Sequence, residues 1–246
     1  MFDKNRIKTM KPMLEVCCEG LKDVGVAVEG GADRIELCRD LNLDGLTPDG
    51  DTIREAVGMA RRAGRPFRVM VLVRSRAGDF VYSAEEKETM RRSVVDILDM
   101  GADGVVVGSL NPELTVDTPW VREIVDLTHS RGCEVTFHRA FDHVSEFSTA
   151  LRELIDCGVD RVLTSGGPEG AEKGAETLAR LVSQSAGRIA VMPGGGVRSS
   201  NIAGLLAKTN AEEFHSSCHT TPDGGADPQE IRRIAEILAP PHRGNI

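Results

Sequence analysis

The residues best equipped for chemistry in this 246-residue chain sit at the ends of short β-branched runs. Glu15 and Cys17 fall in Leu14-Glu-Val-Cys-Cys18, and Glu36 and Cys38 in Arg34-Ile-Glu-Leu-Cys38. Arg74 and Arg76 follow a third run, His138 and Arg139 close a fifth, and His215 lies in Glu213-Phe-His215. Carboxylates, imidazoles and guanidiniums gathered in one place can move protons on an anionic substrate. Glu15, Glu36, Arg74, His138 and His215 are therefore the candidate catalytic residues. The plainer alternative is a structural ion-pair network, because charges at buried strand ends cost desolvation unless they pair or meet a ligand. Arg34, at the base of its run, falls on the structural side.

A second constellation suits an anion. The run Met192-Pro-Gly-Gly-Gly-Val-Arg-Ser-Ser200 places three glycines before a predicted helix start at Ser199 and Ser200. Such a turn exposes backbone N–H groups to negative charge. Gly194, Gly195 and Gly196, with Arg76, Arg139 and Ser165, are the candidate anion-binding residues, and Ser216 and Ser217 are placed to complete the site. The alternative is a tight turn that needs glycine for positive φ.

A third constellation is soft. Period-2 alternation gives Cys17 and Cys38 the same inward parity on neighbouring predicted strands. Strands lie about 5 Å apart, and two thiolates at that spacing suit Cu(I), which prefers sulfur. Against this stands the ordinary behaviour of free cysteine as a small buried hydrophobe. Cys133 precedes its strand and Cys157 ends a helix, so both read as structural.

The elements that must hold these groups alternate strictly. Strands are predicted over 13–18, 34–38, 68–73, 104–108, 134–138, 161–164, 189–192 and 212–215, each followed by a segment with apolar residues at helical spacing. Ser83-Ala-Glu-Glu86 reads as a capping box. Thr118-Pro119 and Asp227-Pro228 each set a capping residue before a proline. Gly31, Gly101, Gly132 and Gly158 close helices in the left-handed region. Eight alternating units predict a parallel sheet with helical crossovers. The expected fold is a single-domain α/β (β/α)₈ TIM barrel over 13–239, with a loose leader over 1–12 and a tail over 240–246. An open doubly wound sheet is the alternative, weakened because no G-x-G-x-x-G follows the first strand. In a barrel the strand ends form one mouth, where the site belongs.

Composition narrows the partners. The net charge of −8 argues against nucleic acid, which needs clustered Lys and Arg. No apolar run approaches the roughly 20 residues that span a bilayer, so no membrane partner is expected. The N-terminal residues lack a signal-peptide core. None of the six cysteines forms a C-x-x-C pair, and all six are expected as free thiols in a reducing cytoplasm.

Several runs carry a resemblance. They are Ala32-Asp-Arg-Ile-Glu-Leu-Cys38, Gly45-Leu-Thr-Pro48, Arg74-x-Arg76 with Gly78-Asp-Phe-Val-Tyr-Ser83, and Thr136-Phe-His-Arg-Ala-Phe-Asp142. Leu163-Thr-Ser-Gly166, Gly194-Gly-Gly-Val197 and Glu213-x-His-x-Ser217 follow in order. Together they resemble the copper homeostasis protein CutC family. The resemblance implies a (β/α)₈ barrel, a cytoplasmic location, copper homeostasis with Cu(I) binding, and a homodimer. The chain departs from the family pattern at Ser75, where the family has proline between the two arginines, and at Asp44. Three readings follow: Cu(I) binding through Cys17 and Cys38, an enzyme acting on a small anionic or phosphorylated substrate, and a non-catalytic small-ligand barrel.

Overall fold

The computed structural model describes residues 11–167, 169–221 and 224–239. Strands and helices alternate through it as β1 Met13–Cys18, α1 Leu21–Gly30, β2 Arg34–Leu37, α2 Gly50–Arg62, β3 Arg68–Leu72, α3 Ala84–Asp99, β4 Gly104–Val107 and α4 Thr118–His129. The second half continues with β5 Glu134–Phe137, α5 Phe147–Cys157, β6 Arg161–Thr164, α6 Ala175–Ser185, β7 Ala190–Pro193, α7 Ile202–Thr209, β8 Glu213–Ser216 and α8 Pro228–Leu238. The expected leader and tail lie outside the described residues, apart from residues 11 and 12.

All the strands are parallel and run in the order β7-β6-β5-β4-β3-β2-β1-β8. The end strands β7 and β8 lie side by side and bring the sheet round into a barrel. This is the (β/α)₈ architecture that strict alternation demands. The strand limits differ from expectation by a residue or so, most visibly at β7 and β8, which each start and end one residue later than predicted.

Alternation along each strand divides the interior. Leu14, Val16 and Cys18 of β1 and Ile35 and Leu37 of β2 face outward into the core shared with the helices. Cys17 and Cys38 face the axis with Met70, Leu72 and Val106. Helix ends follow local chemistry. The Ser83 hydroxyl accepts from Glu86 N–H, and Glu86 reaches back to Ser83 N–H, completing the box at α3. The N-cap position of α4 is Asp117, one before the predicted Thr118, with no capping bond from its side chain; Pro119 lies in the first turn, where a missing N–H costs nothing.

The lower interior is an ion-pair network. Arg34, fully buried, donates to Glu15 and, at 2.5 Å, to Glu213. Arg161 donates to Glu213 at 2.6 Å and to Glu134 at 3.0 Å, and Arg68 pairs with Glu134 from outside. Each charge has an opposite neighbour, as a buried network needs if it is to offset desolvation.

Candidate functional site

Above that network the barrel opens into a cavity of about 400 Å³. Residues predicted from β1, β2, β5 and β8 meet there. Strand register sets Cys17 of β1 opposite Glu36 of β2, and Glu15 opposite both Arg34 and His215. Glu36, Arg74, His138 and His215 line the cavity and are each at least 92% buried. Glu15 does not reach it. Its side chain lies below, between Arg34 and His215, and accepts from His215 Nδ1 at 2.8 Å.

The His215 ring is thus held between two carboxylates, with Glu36 3.6 Å from Nε2. Burial alone would lower its pKa, but the hydrogen bond to Glu15 and the charges of Glu36 and Glu15 outweigh it and push it up. Glu36 goes the other way from most carboxylates. Burial, reinforced by the like charge of Glu15, raises it to about 7 against the pull of His215 and Arg34. Glu15 is also buried, yet Arg34 and His215 overcome that penalty and hold it well below the usual range. One carboxylate is fixed as an anion and its neighbour is poised near neutrality, the separation of roles that acid–base sites use.

Cys17 and Cys38 meet at the cavity floor with their Sγ atoms 3.7 Å apart. The bond to Cys38, burial and the nearby carboxylate of Glu36 push the Cys17 thiol well above its ordinary value. Sγ of Cys17, a carboxylate oxygen of Glu36 and a ring nitrogen of His215 all lie within 4.8 Å of one another. Two soft donors with a borderline imidazole beside them fit Cu(I) better than a hard cation.

His138 sits on the far wall. Its Nδ1 accepts from Ala140 N–H at 3.0 Å, which leaves the ring proton on Nε2. Burial and the charge of Arg74 lower its pKa to about 3, so the ring is neutral. The ring fits because residue 108 is glycine. A Cβ there would come within 2.4 Å of His138 Cε1. Phe80 packs against both His138 and Arg74, 5.0 Å from the imidazole centroid and 5.1 Å from the guanidinium carbon.

The arginines separate. Arg74 donates to the carbonyls of Leu43, Gly45 and Gly78, clamping two loops of the rim. Arg139 bonds Asp142 and leans on Gly195. Arg76 is not brought to the mouth. It pairs with Glu86 and Asp79 and bonds the carbonyls of Ala77, Asp79 and Val81. A fixed loop hairpin satisfies it and turns it away.

The glycine run is used only in part. Gly194 N–H bonds Thr164 O within the barrel wall. Ser165 lies behind the rim, its hydroxyl donating to Asp142. The predicted helix start at Ser199 and Ser200 is not open either, because Glu230 accepts from both Ser199 N–H and its hydroxyl. The helix itself begins at Ile202. Gly195 and Gly196 do border the cavity, each with φ of 82°. Arg198, absent from the expected residues, joins them there and donates to the Ser216 and Ser217 hydroxyls. Its signal was its place two residues past the glycine run.

The CutC family model matches residues 12–220. The family protein CutC of Vibrio cholerae is 41% identical over 214 residues, covering 86% of this chain and 82% of the relative. That of Rhizobium meliloti is 39% identical over 231 residues, covering 94% and 89%. A crystal structure from Streptococcus agalactiae, described as a copper homeostasis protein CutC, superposes with a TM-score of 0.78 at 28% identity, covering 84% of this chain and 98% of that one. With this site on this barrel, the chain belongs to the CutC family.

Proposed function

We propose that this protein serves copper homeostasis by binding Cu(I) at the barrel mouth through Cys17 and Cys38. The observation that carries the reading is the 3.7 Å separation of the two sulfurs. Two metal–thiolate bonds of about 2.3 Å reach across that gap to a single ion. Leu72 and Met70 give the floor an apolar lining that shields a soft ion from water. All six cysteines are free thiols, which suits a reducing cytoplasm. The likeness to the Streptococcus agalactiae protein points the same way.

The raised Cys17 thiol means that Cu(I) must displace a proton, so uptake strengthens as pH rises. The test is a Cu(I) competition titration under reducing, anaerobic conditions. Replacing Cys17 and Cys38 together with serine abolishes tight binding, whereas Cys133→Ser and Cys157→Ser leave it intact. Unchanged affinity in the double variant overturns the assignment.

One observation favours a second reading, an enzyme acting on a small anionic substrate. Glu36, raised to about 7, and His215 with its pKa pushed up form a proton-transfer pair facing the cavity. Glu36→Gln should leave a thiolate copper site within about twofold of its affinity, well under the 1.4 kcal/mol that a tenfold change represents. The same substitution removes the base that a reaction would need.

A further inference from the structure

Two features of the mouth are not accounted for by copper binding. The first is charge. Among the described residues no carboxylate pairs with Arg74 or Arg198. Arg74 is 3% exposed, and its hydrogen bonds go to neutral carbonyls, with Nε left unpartnered. Among the described residues the Arg198 side chain bonds only Val197 O and two serine hydroxyls. A guanidinium cannot lose its charge in a protein, and a buried or half-buried charge with no counter-ion is costly. In a chain of net charge −8, two cations left without an acidic partner on one cavity are not a by-product of excess base. Beside Arg198, the Gly195 and Gly196 N–H groups donate to no other described residue.

The second feature is a donor. His138 is 95% buried and lines the same cavity, and its Nε2–H has no partner. Because Nδ1 is occupied by Ala140 N–H, Nε2 can only donate. A buried polar hydrogen without an acceptor is costly, and Gly108 is kept small to hold the ring in place. Nε2 itself is closed off from water, so a ligand oxygen reaches it only as the ring shifts; a neutral imidazole N–H beside cations then suits a substrate oxygen that carries no full charge.

We propose that the mouth binds a small organic oxyanion that also bears a carbonyl or hydroxyl oxygen. Its charge rests on Arg198 and the Gly195 and Gly196 N–H groups, and its neutral oxygen accepts from His138 Nε2–H. The cavity, about 400 Å³, falls within the range of ligand pockets and has ample room for a phosphorylated triose or a short hydroxy acid. This rests on the enzyme reading of the mouth, but it concerns binding. A barrel that holds the anion without turnover leaves the proposal standing and overturns only that reading.

The experiment titrates the full chain at low salt with dihydroxyacetone phosphate, glycolate and inorganic phosphate, by calorimetry and by NMR of ¹⁵N-labelled histidine. Either organic probe should bind more tightly than inorganic phosphate, and which one binds decides between a phosphate ester and a carboxylate. The His138 Nε2 resonance should report a neutral N–H tautomer that shifts on binding. Arg198→Met should weaken the organic probe at least tenfold. His138→Phe should bring it down to the affinity of inorganic phosphate, whereas His138→Gln, which restores an N–H donor, recovers most of the loss. A cooperative thermal transition and unchanged Cu(I) affinity in these variants show that each still folds and keeps its thiols in place. If none of the three anions binds wild type more tightly than Arg198→Met, or if His138→Phe leaves the organic probe unaffected, the proposal is wrong.

Discussion

Two neighbouring layers of the barrel interior use the same residue types for opposite ends. In the lower layer Arg34, Glu15, Glu213, Arg161 and Glu134 form a chain in which every guanidinium meets a carboxylate. In the upper layer Glu36, His215, His138 and Arg74 are as deeply buried, yet a carboxyl has its pKa near 7 and, among the described residues, an imidazole N–H has no acceptor and an arginine has no acid. Burial alone therefore does not mark function in this barrel. What differs is charge pairing: Arg34 meets two carboxylates even though its Nη1 has no partner, whereas among the described residues Arg74 meets none.

The sharpest way to break this comparison is to remove one cation from each layer. Arg34→Met strips Glu15 and Glu213 of their shared partner and leaves buried charge behind. A loss of about 3–5 kcal/mol is expected in denaturant unfolding. Arg198→Met removes a cation that no carboxylate depends on, and the loss should stay under about 1 kcal/mol. Equal losses would mean that the upper layer is structural too.

The layers should also answer pH with opposite sign. Glu36 keeps its proton in the fold up to about pH 7, whereas the unfolded carboxyl loses it near 4.5. Between those values the folded chain holds the extra proton, so this contribution is full below 4.5 and is lost as pH rises towards 7. His215, raised, adds a contribution of the same sign that fades as pH climbs past its folded value. Glu15, held low by Arg34 and His215, stabilises above the ordinary carboxylate range, and its contribution is lost only in acid. Glu36→Gln should flatten the fall between pH 4.5 and 7 by on the order of 1–3 kcal/mol, measured as unfolding free energy against pH. If the slope is unchanged, Glu36 titrates in the ordinary range.

Much of this contrast was legible in the sequence. Parity along Leu14-Glu-Val-Cys-Cys18 and Arg34-Ile-Glu-Leu-Cys38 put Glu15, Cys17, Glu36 and Cys38 on the barrel axis, because side-chain direction follows directly from the pleat. Depth did not follow. Glu15 and Glu36 look alike in sequence, and only the register of β1 with β2 and β8 sets Glu15 beside Arg34 and His215. Loop residues were harder still. Nothing local says that Glu230, 31 residues downstream, takes Ser199 N–H, or that Arg198 faces the cavity. Those contacts depend on how a turn and a distant helix meet, not on periodicity.

A smaller effect probes the shape of the upper layer. Gly108 has no Cβ, and one added there would lie 2.4 Å from His138 Cε1 and 2.5 Å from Nδ1. Its φ does not call for glycine, so Gly108→Ala tests crowding and not backbone strain. The ring must shift off Ala140 N–H, with a stability loss of about 1–3 kcal/mol and a changed His138 tautomer in the NMR spectrum. A ring that keeps its signals would show that the pocket wall yields instead, and that the placement of His138 is not enforced.

The smallest effect separates two arginines that sit two residues apart. Arg74 and Arg76 share a motif, yet Arg74 borders the cavity while Arg76 is tied to the loop beyond it. Arg76 is 34% exposed in its side chain, pairs with Glu86 and Asp79, and lies 5.0 Å from the Tyr82 ring centroid. Ion pairs this open are worth about 0–1 kcal/mol each. Glu86 keeps its bond to Ser83 N–H without Arg76, so the capping box of α3 survives the loss. Arg76→Ala should therefore cost about 1 kcal/mol and leave both Cu(I) affinity and anion affinity unchanged, read in the same titrations as Arg198→Met. A drop in anion binding comparable to that of Arg198→Met would mean that the loop swings Arg76 into the mouth when ligand arrives. The division between saturated and unsaturated charge would then hold for the strands and fail for the loops.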